Sequence, residues 1–248
     1  MAQQWRRGKV SGNVAWNERM FSLRIAAEID PFAAGQFTKL GLEIDGEIVA
    51  RPYSLVNAPA EQPLEVVFGV VPHGPLSARL AALEPGDEVL VWPRAAGFLI
   101  LDEIPPAAHL WMVATGTGIG PFLSILKTPQ PWQRYQQVRL VHGVRYAADL
   151  IYPDTIRSIA GAHPDQFAFI PVVSREPVPG ALGGRIPAAI TDGTLENQAG
   201  LPIGAATSQI LLCGNPDMVE DTMRTLTERG LRKHRRREPG HISVENYW

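Results

Sequence analysis

Two domains of unlike architecture are what the sequence predicts: an N-terminal antiparallel β-barrel, then a C-terminal α/β domain with a doubly wound parallel sheet. Three observations carry this. Up to about residue 100, short alternating or apolar runs are separated by turn signals, the spacing of an antiparallel barrel. From about residue 110, continuous apolar runs alternate with helical stretches, which means a parallel sheet covered on both faces. Between them lies "LDEIPPAAH" (101–109), a Pro-rich joint. The expected division is 1–101 and 102–248, and 248 residues suffice for two modest cores.

The barrel strands are read from "FSLRI" (21–25), "QFTKLGLEI" (36–44), "IVARPYSLV" (48–56), "LEVVFGVV" (64–71) and "EVLVW" (88–92). Asp45-Gly46 and Pro85-Gly86-Asp87 supply turns. One helix interrupts them over 75–83, with Leu76, Leu80 and Leu83 on one face. In the second half, "HLWMVAT" (109–115), "VRLVHGV" (138–144), "FAFIPVVS" (167–174) and "QILLCG" (209–214) have buried-strand character. A helix begins at "FLSILK" and another runs over 216–230.

Composition excludes several classes. No apolar run approaches the roughly 18 residues of a membrane helix, and "MAQQWRRGKV" lacks a signal-peptide core, so a cytoplasmic location is expected. The single cysteine, Cys213, excludes an internal disulfide and a cysteine-ligated iron–sulfur cluster on this chain. The six histidines show no metal-ligand spacing, and no metal is expected. Net charge is −2, but Arg229, Arg232, Lys233, Arg235, Arg236 and Arg237 crowd one stretch. That stretch reads either as a solvated helix end or as a docking patch for an acidic partner. Nucleic acid fits less well, since no stacking aromatics accompany it.

The chemistry begins with "ATGTGIGP" (114–121), between a buried strand and a helix. Thr115, Gly116, Thr117, Gly118 and Gly120 form a loop whose backbone can approach a pyrophosphate, with the helix N-terminus behind it. Its Gly-x-Gly-x-Gly spacing differs from the usual dinucleotide fingerprint, so a plain tight turn is the competing reading. The next strand ends in Gly143 and Arg145 rather than the acid that binds an NAD ribose. The following strand ends in Ser174 and Arg175, and Arg185 comes shortly after. Three arginines near one ribose suit a 2′-phosphate and favour NADP(H) over NAD(H).

"RPYS" (51–54), "GPLS" (74–77), "GTGIGP", "LCGNPDM" (212–218) and the terminal "ENYW" occur in the order and spacing of plant-type ferredoxin–NADP(H) reductases. In detail the chain resembles the bacterial ferredoxin/flavodoxin–NADP(H) reductases that end in a Tyr-Trp pair, over essentially its full length. The resemblance implies FAD on the barrel and NADP(H) on the second domain, with the flavin at their seam. Arg51 would bind the FAD pyrophosphate, and Tyr53, with Pro52 beside it and Val67 near, would pack along the flavin. Ser54 would hydrogen-bond near flavin N5. Gly74, Leu76 and Ser77 would offer N–H groups and a hydroxyl to the pyrophosphate, whereas Pro75 has no N–H to give. Thr117 would sit where nicotinamide meets flavin. Cys213 and Glu245 would lie beside the nicotinamide, although a buried packing cysteine and a surface acid are the bland readings. Gly214, Asn215, Asp217 and Met218 would complete the NADP(H) site. Tyr247 would cover the flavin face that nicotinamide must reach, and Trp248 would stack on the FAD adenine.

The activity so implied is hydride transfer from NADPH to FAD, then delivery of single electrons to ferredoxin or flavodoxin, by a monomer. Both carriers are typically acidic, which tilts the basic stretch toward docking. A free flavin reductase or an oxygenase reductase component is the enzymatic alternative. The first releases flavin, and the second often carries an iron–sulfur domain that one cysteine cannot hold. A flavin-binding regulatory module is the non-enzymatic alternative, opposed by the glycine loop and the three arginines.

Overall fold

The structure, a computed structural model, describes residues 4–246. Its first half is six antiparallel strands: β1 (Arg6–Ala15), β2 (Met20–Ala26), β3 (Phe37–Ile44), β4 (Glu47–Ser54), β5 (Leu64–Gly69) and β6 (Glu88–Val91). They pair in the order β4-β3-β6-β1-β2-β5. The outer two then meet. Just past β4, Leu55 bridges Val66, and the Val56 N–H donates to the Glu65 carbonyl at 2.8 Å. That contact closes the sheet into a barrel and removes its free edges. Leu23, Ile25, Leu40, Leu64 and Val66 fill the interior.

Strand β1 is the element the sequence pattern conceals. "RRGKVSGNVA" has two glycines and little alternation, yet it pairs with both β2 and β6 at the centre of the sheet. Close packing explains one glycine: a Cβ on Gly8 would lie 2.6 Å from Ile25 Cγ2. Neighbouring strands on both sides outweigh weak strand propensity. The helix expected over 75–83 is shorter, α1 (Ser77–Ala81), with Leu76 and Leu80 buried and Leu83 at the margin of the core.

The second half runs β7 (His109–Thr115), α2 (Gly120–Leu126), α3 (Gln130–Arg134), β8 (Gln137–Val144), α4 (Pro153–Ala162), β9 (Phe167–Val173), β10 (Leu182–Gly183), α5 (Ile186–Thr191), α6 (Thr194–Ala199), β11 (Ser208–Gly214), α7 (Pro216–Glu228) and β12 (Ile242–Asn246). The sheet order is β10-β9-β8-β7-β11-β12, parallel throughout. The winding reverses at β7, flanked by β8 on one side and β11 on the other, which opens a crevice at the carboxyl ends of the strands. None of the described helices is long and apolar enough to cross a membrane.

The halves share one core. Met20, Val56, Val67 and Leu99 pack with Met112, Ile119, Phe122 and Cys213 from the parallel domain. Hydrogen bonds also cross the seam. The Tyr152 hydroxyl donates to Glu65 Oε1 at 2.8 Å, and Asn17 Nδ2 donates to Asp149 Oδ1 at 3.1 Å. The crevice therefore holds a fixed orientation against the barrel.

Candidate active site

The crevice is a cleft of about 700 Å³. Thr115, Gly116 and Thr117 enter it from the end of β7, and Gly143 and Arg145 from the end of β8. Ser174, Arg175 and Arg185 come from beyond β9, and Gly214, Asn215, Asp217 and Met218 from the β11–α7 junction. The three arginines thus open into one space. Residues 116–119 form a 3₁₀ turn and α2 is only seven residues long, so the helix N-terminus expected behind the loop is a tighter turn. Anion donors at this point are the loop's own N–H groups.

Gly118 and Gly120 do not line the cleft; they allow close packing beneath it. A Cβ on Gly118 would lie 2.5 Å from the Cys213 carbonyl oxygen, and one on Gly120 would lie 3.0 Å from Val67 Cγ1 of the barrel. Gly214 has φ +133°, and a Cβ there would collide with Thr115 Oγ1. Asn215 is occupied locally. Its side-chain oxygen accepts from the Asp217 N–H at 2.9 Å and the Met218 N–H at 3.3 Å, capping α7, while its own N–H donates to Thr115 Oγ1 at 2.9 Å.

A circuit of neighbours runs around the seam. Ser54, 2% exposed, has its Cβ 3.9 Å from the position a Gly120 Cβ would take. Gly118 rests on Cys213, and Cys213 stands beside Glu245 in the β11–β12 register. Glu245 Oε1 approaches Gly97, the Phe37 ring flanks the same glycine, and Phe37 pairs with Ser54 across β3–β4. The structure thus gathers Ser54, Cys213 and Glu245 around the glycine turn. Burial pushes the Glu245 carboxyl up to about 7, and its Oε2 has no partner among the described residues. Tyr247 and Trp248 lie outside the described residues.

On the barrel, Arg51 and Pro52 are exposed on β4, and Arg51 donates to the Ala50 carbonyl at 2.7 Å. Tyr53 is half-buried edge-on to Phe68. Burial pushes its hydroxyl up to about 12 against the opposing charge of Arg51. Val67 is buried in the shared core. Leu76 and Ser77 are buried, and Ser77 Oγ accepts from the Val71 N–H at 2.9 Å. That leaves the hydroxyl proton of Ser77 to donate. Helix α1 is only five residues long, and Gly74 precedes it in a loop.

The basic stretch follows α7 and divides. Arg229 is committed to a two-pronged ion pair with Glu196, at 2.7 and 2.9 Å. Arg236 pairs with Glu103 at 2.6 Å and lies over the exposed Phe98 ring, and Arg235 pairs with Glu238 at 3.4 Å. Three of the six cations named from the sequence are thus engaged in ion pairs. Sequence reasoning also passed over Arg19, Met20 and Asp149, which line the cleft. Arg19 sits in a barrel turn with no motif around it, and only folding brings it there.

A closed antiparallel barrel packed on a doubly wound sheet, with a phosphate-suited cleft at the switch point, defines a two-domain flavin- and pyridine-nucleotide-dependent oxidoreductase. The Oxidoreductase FAD-binding domain family matches residues 9–92, and the Oxidoreductase NAD-binding domain family matches residues 112–224. The flavodoxin/ferredoxin–NADP reductases of Escherichia coli (strain K12) and Shigella flexneri are each 51% identical over 245 residues, spanning 98% of this chain and 99% of theirs. A crystal structure of a ferredoxin NADP+ reductase from Neisseria gonorrhoeae with bound FAD and NADP superimposes with a TM-score of 0.93 at 34% identity, covering 98% of this chain and 99% of that one. The chain belongs to the flavodoxin/ferredoxin–NADP reductase family.

Proposed function

We propose that this chain moves reducing equivalents between NADP(H) and ferredoxin or flavodoxin through FAD, with residues 1–101 holding FAD and residues 102–248 holding NADP(H). The observation that carries the reading is the seam circuit, which sets the floor of the dinucleotide cleft against the barrel strand bearing Ser54. FAD, when bound, supplies the exchange between a two-electron hydride donor and one-electron carriers. The residues present fit both cofactors. The glycine turn has backbone N–H groups and, at Gly116, no side chain to block a pyrophosphate, and Arg145, Arg175 and Arg185 face the same cleft.

The protein's part is positioning. Arg145, Ser174, Arg175 and Arg185 hold the 2′-phosphate end, and Thr115, Gly116 and Thr117 hold the pyrophosphate. Asn215 fixes the β11–α7 junction, with Gly214, Asp217 and Met218 along that wall. Cys213 and Glu245 confine the nicotinamide end, where a neutral Glu245 can hold a proton near the reacting atoms. Arg51, Tyr53, Ser54, Gly74, Leu76 and Ser77 hold FAD from the barrel, and Tyr247 and Trp248 cover it. The chain acts as a cytoplasmic monomer. An acidic carrier docks on Arg232, Lys233 and Arg237 with the Phe98–Arg236 surface, while Arg229 serves the fold through Glu196.

Anaerobic mixing tests this. The yellow protein bleaches rapidly with NADPH and slowly with NADH, then reduces added ferredoxin or flavodoxin at a rate that falls steeply with salt. Reduction of a small neutral acceptor stays insensitive to salt. Failure to bleach overturns the enzymatic reading, equal use of NADH overturns the arginine assignment, and salt-insensitive carrier reduction overturns the docking patch.

A further inference from the structure

His142 is fully buried in β8, on the otherwise apolar run "LVHGV". Its Nε2 lies 2.9 Å from the Gly116 carbonyl oxygen, and its Nδ1 has no partner among the described residues. A carbonyl oxygen can only accept, so the bond fixes the tautomer with the proton on Nε2. Burial holds the ring neutral, its pKa brought down to about 4 against the opposing pull of the Gly116 bond and of Asp149. An apolar residue here would fill space without burying a nitrogen that has no partner, so the contact with Gly116 is the feature the imidazole adds. Gly116 itself has φ +53°, in the left-handed region, at the first position of the 3₁₀ turn. In a trans peptide the carbonyl and the following N–H point in opposite directions. A bond that draws the Gly116 carbonyl down toward the sheet therefore aims the Thr117 N–H the other way, and Thr117 lines the cleft.

We infer that His142 is the positioning residue of the dinucleotide turn, holding the Gly116–Thr117 peptide so that the Thr117 N–H meets the pyrophosphate of NADP(H). It touches no ligand and acts through the peptide alone. This role rests on the dinucleotide reading of the cleft. Without the bond, only the 3₁₀ turn's own bonding holds the Gly116–Thr117 peptide, and a glycine at its head lowers the barrier to rotation. In the rotated state it presents a carbonyl oxygen to an anion.

The test uses FAD-loaded protein and three variants, with equilibrium binding of NADP+ and of 2′-phospho-AMP measured by calorimetry. His142→Leu removes the donor. His142→Gln places an amide N–H near the Nε2 position, and His142→Asn places one too short to reach Gly116. The leucine and asparagine variants bind NADP+ about tenfold or more weakly, the scale of a lost hydrogen bond to a charged group. Glutamine returns affinity to within about threefold by the same reasoning. Affinity for 2′-phospho-AMP, held chiefly by the arginines, stays within about twofold in all three. If leucine lowers FAD content, the asparagine–glutamine pair decides, since both are polar and differ only in reach. Equal NADP+ binding by asparagine and glutamine overturns the role, as does parallel loss of both ligands. A wild-type chain that does not bind NADP+ refutes the proposed function itself, whereas normal wild-type binding with indifferent variants refutes only the part given to His142.

Discussion

The cleft and the barrel wall build their sites by opposite means. In the parallel domain every strand ends on the same edge, so the residues just past β7, β8, β9 and β11 converge without further instruction. In the antiparallel barrel successive strands end on opposite rims. Ser54, Phe37 and Gly97 meet there only through register and a closing bridge, although they lie far apart in sequence. Convergence is a property of topology in one domain and of particular pairings in the other.

The largest effect that can break this contrast comes from two glycines. A Cβ on Gly118 would stand 2.5 Å from the Cys213 oxygen, 2.7 Å from its carbonyl carbon and 2.9 Å from Gly214 Cα, all backbone atoms of the neighbouring strand end. A Cβ on Gly8 would stand 2.6 Å from Ile25 Cγ2 and 3.0 Å from Ala27 Cβ, both side-chain atoms. Backbone pinned in a sheet yields less than an isoleucine rotamer. Gly118→Ala is therefore expected to cost about 3 kcal/mol or more and Gly8→Ala about 1 kcal/mol, the two ends of the overpacking range. Urea denaturation of both variants decides, and equal costs would show that the turn is no more constrained than the barrel.

The arginines sharpen the same contrast at the level of ligand. In Arg175→Ala/Arg185→Ala, the KM for NADPH should rise about 100-fold, since each lost charge-assisted bond is worth roughly tenfold or more. The KM for NADH, which lacks the 2′-phosphate, should change by less than about threefold on the same reasoning. Arg51→Ala, on the exposed barrel strand, should leave that selectivity ratio intact. Parallel loss with both nucleotides would mean that Arg175 and Arg185 serve the fold of the loops rather than the phosphate.

The same topological difference explains what the sequence disclosed. The parallel strands announce themselves as apolar runs, and a glycine turn or an arginine just beyond each run is visible in the local string. Five barrel strands were legible from alternation, but β1 was not, because a strand flanked on both sides needs neither alternation nor β-branched residues to be held. Arg19 reaches the cleft across the domain seam, and no local pattern encodes that. In the basic stretch the ion pairs are what the sequence leaves unread. Charge crowding in sequence says nothing about Glu196 and Glu103, which arrive from α6 and the domain joint to engage Arg229 and Arg236. Neither did the strand pattern show that His142 would lie under Gly116, since "VRLVHGV" reads as apolar filling.

The smallest effect concerns Glu245, where the two regions touch. Its carboxyl, pressed between Cys213 of the cleft and the Gly97–Phe37 wall of the barrel, has its pKa pushed by burial from 4.5 to about 7. A raised carboxyl pKa means that the folded state holds its proton more tightly than the unfolded state does. The stability that comes with the protonated form is fully present below pH 4.5 and is lost as pH rises through about 7. Between those limits the fold gives up on the order of 2 kcal/mol at this one site. Glu245→Gln stays neutral throughout and escapes that loss. The variant should therefore match the wild type in urea denaturation near pH 4.5 and exceed it by about 2–3 kcal/mol at pH 8. A constant difference across that range would mean that the carboxylate finds a compensating charge when it ionises, and that the seam is wetter and less tightly shared than its common core implies.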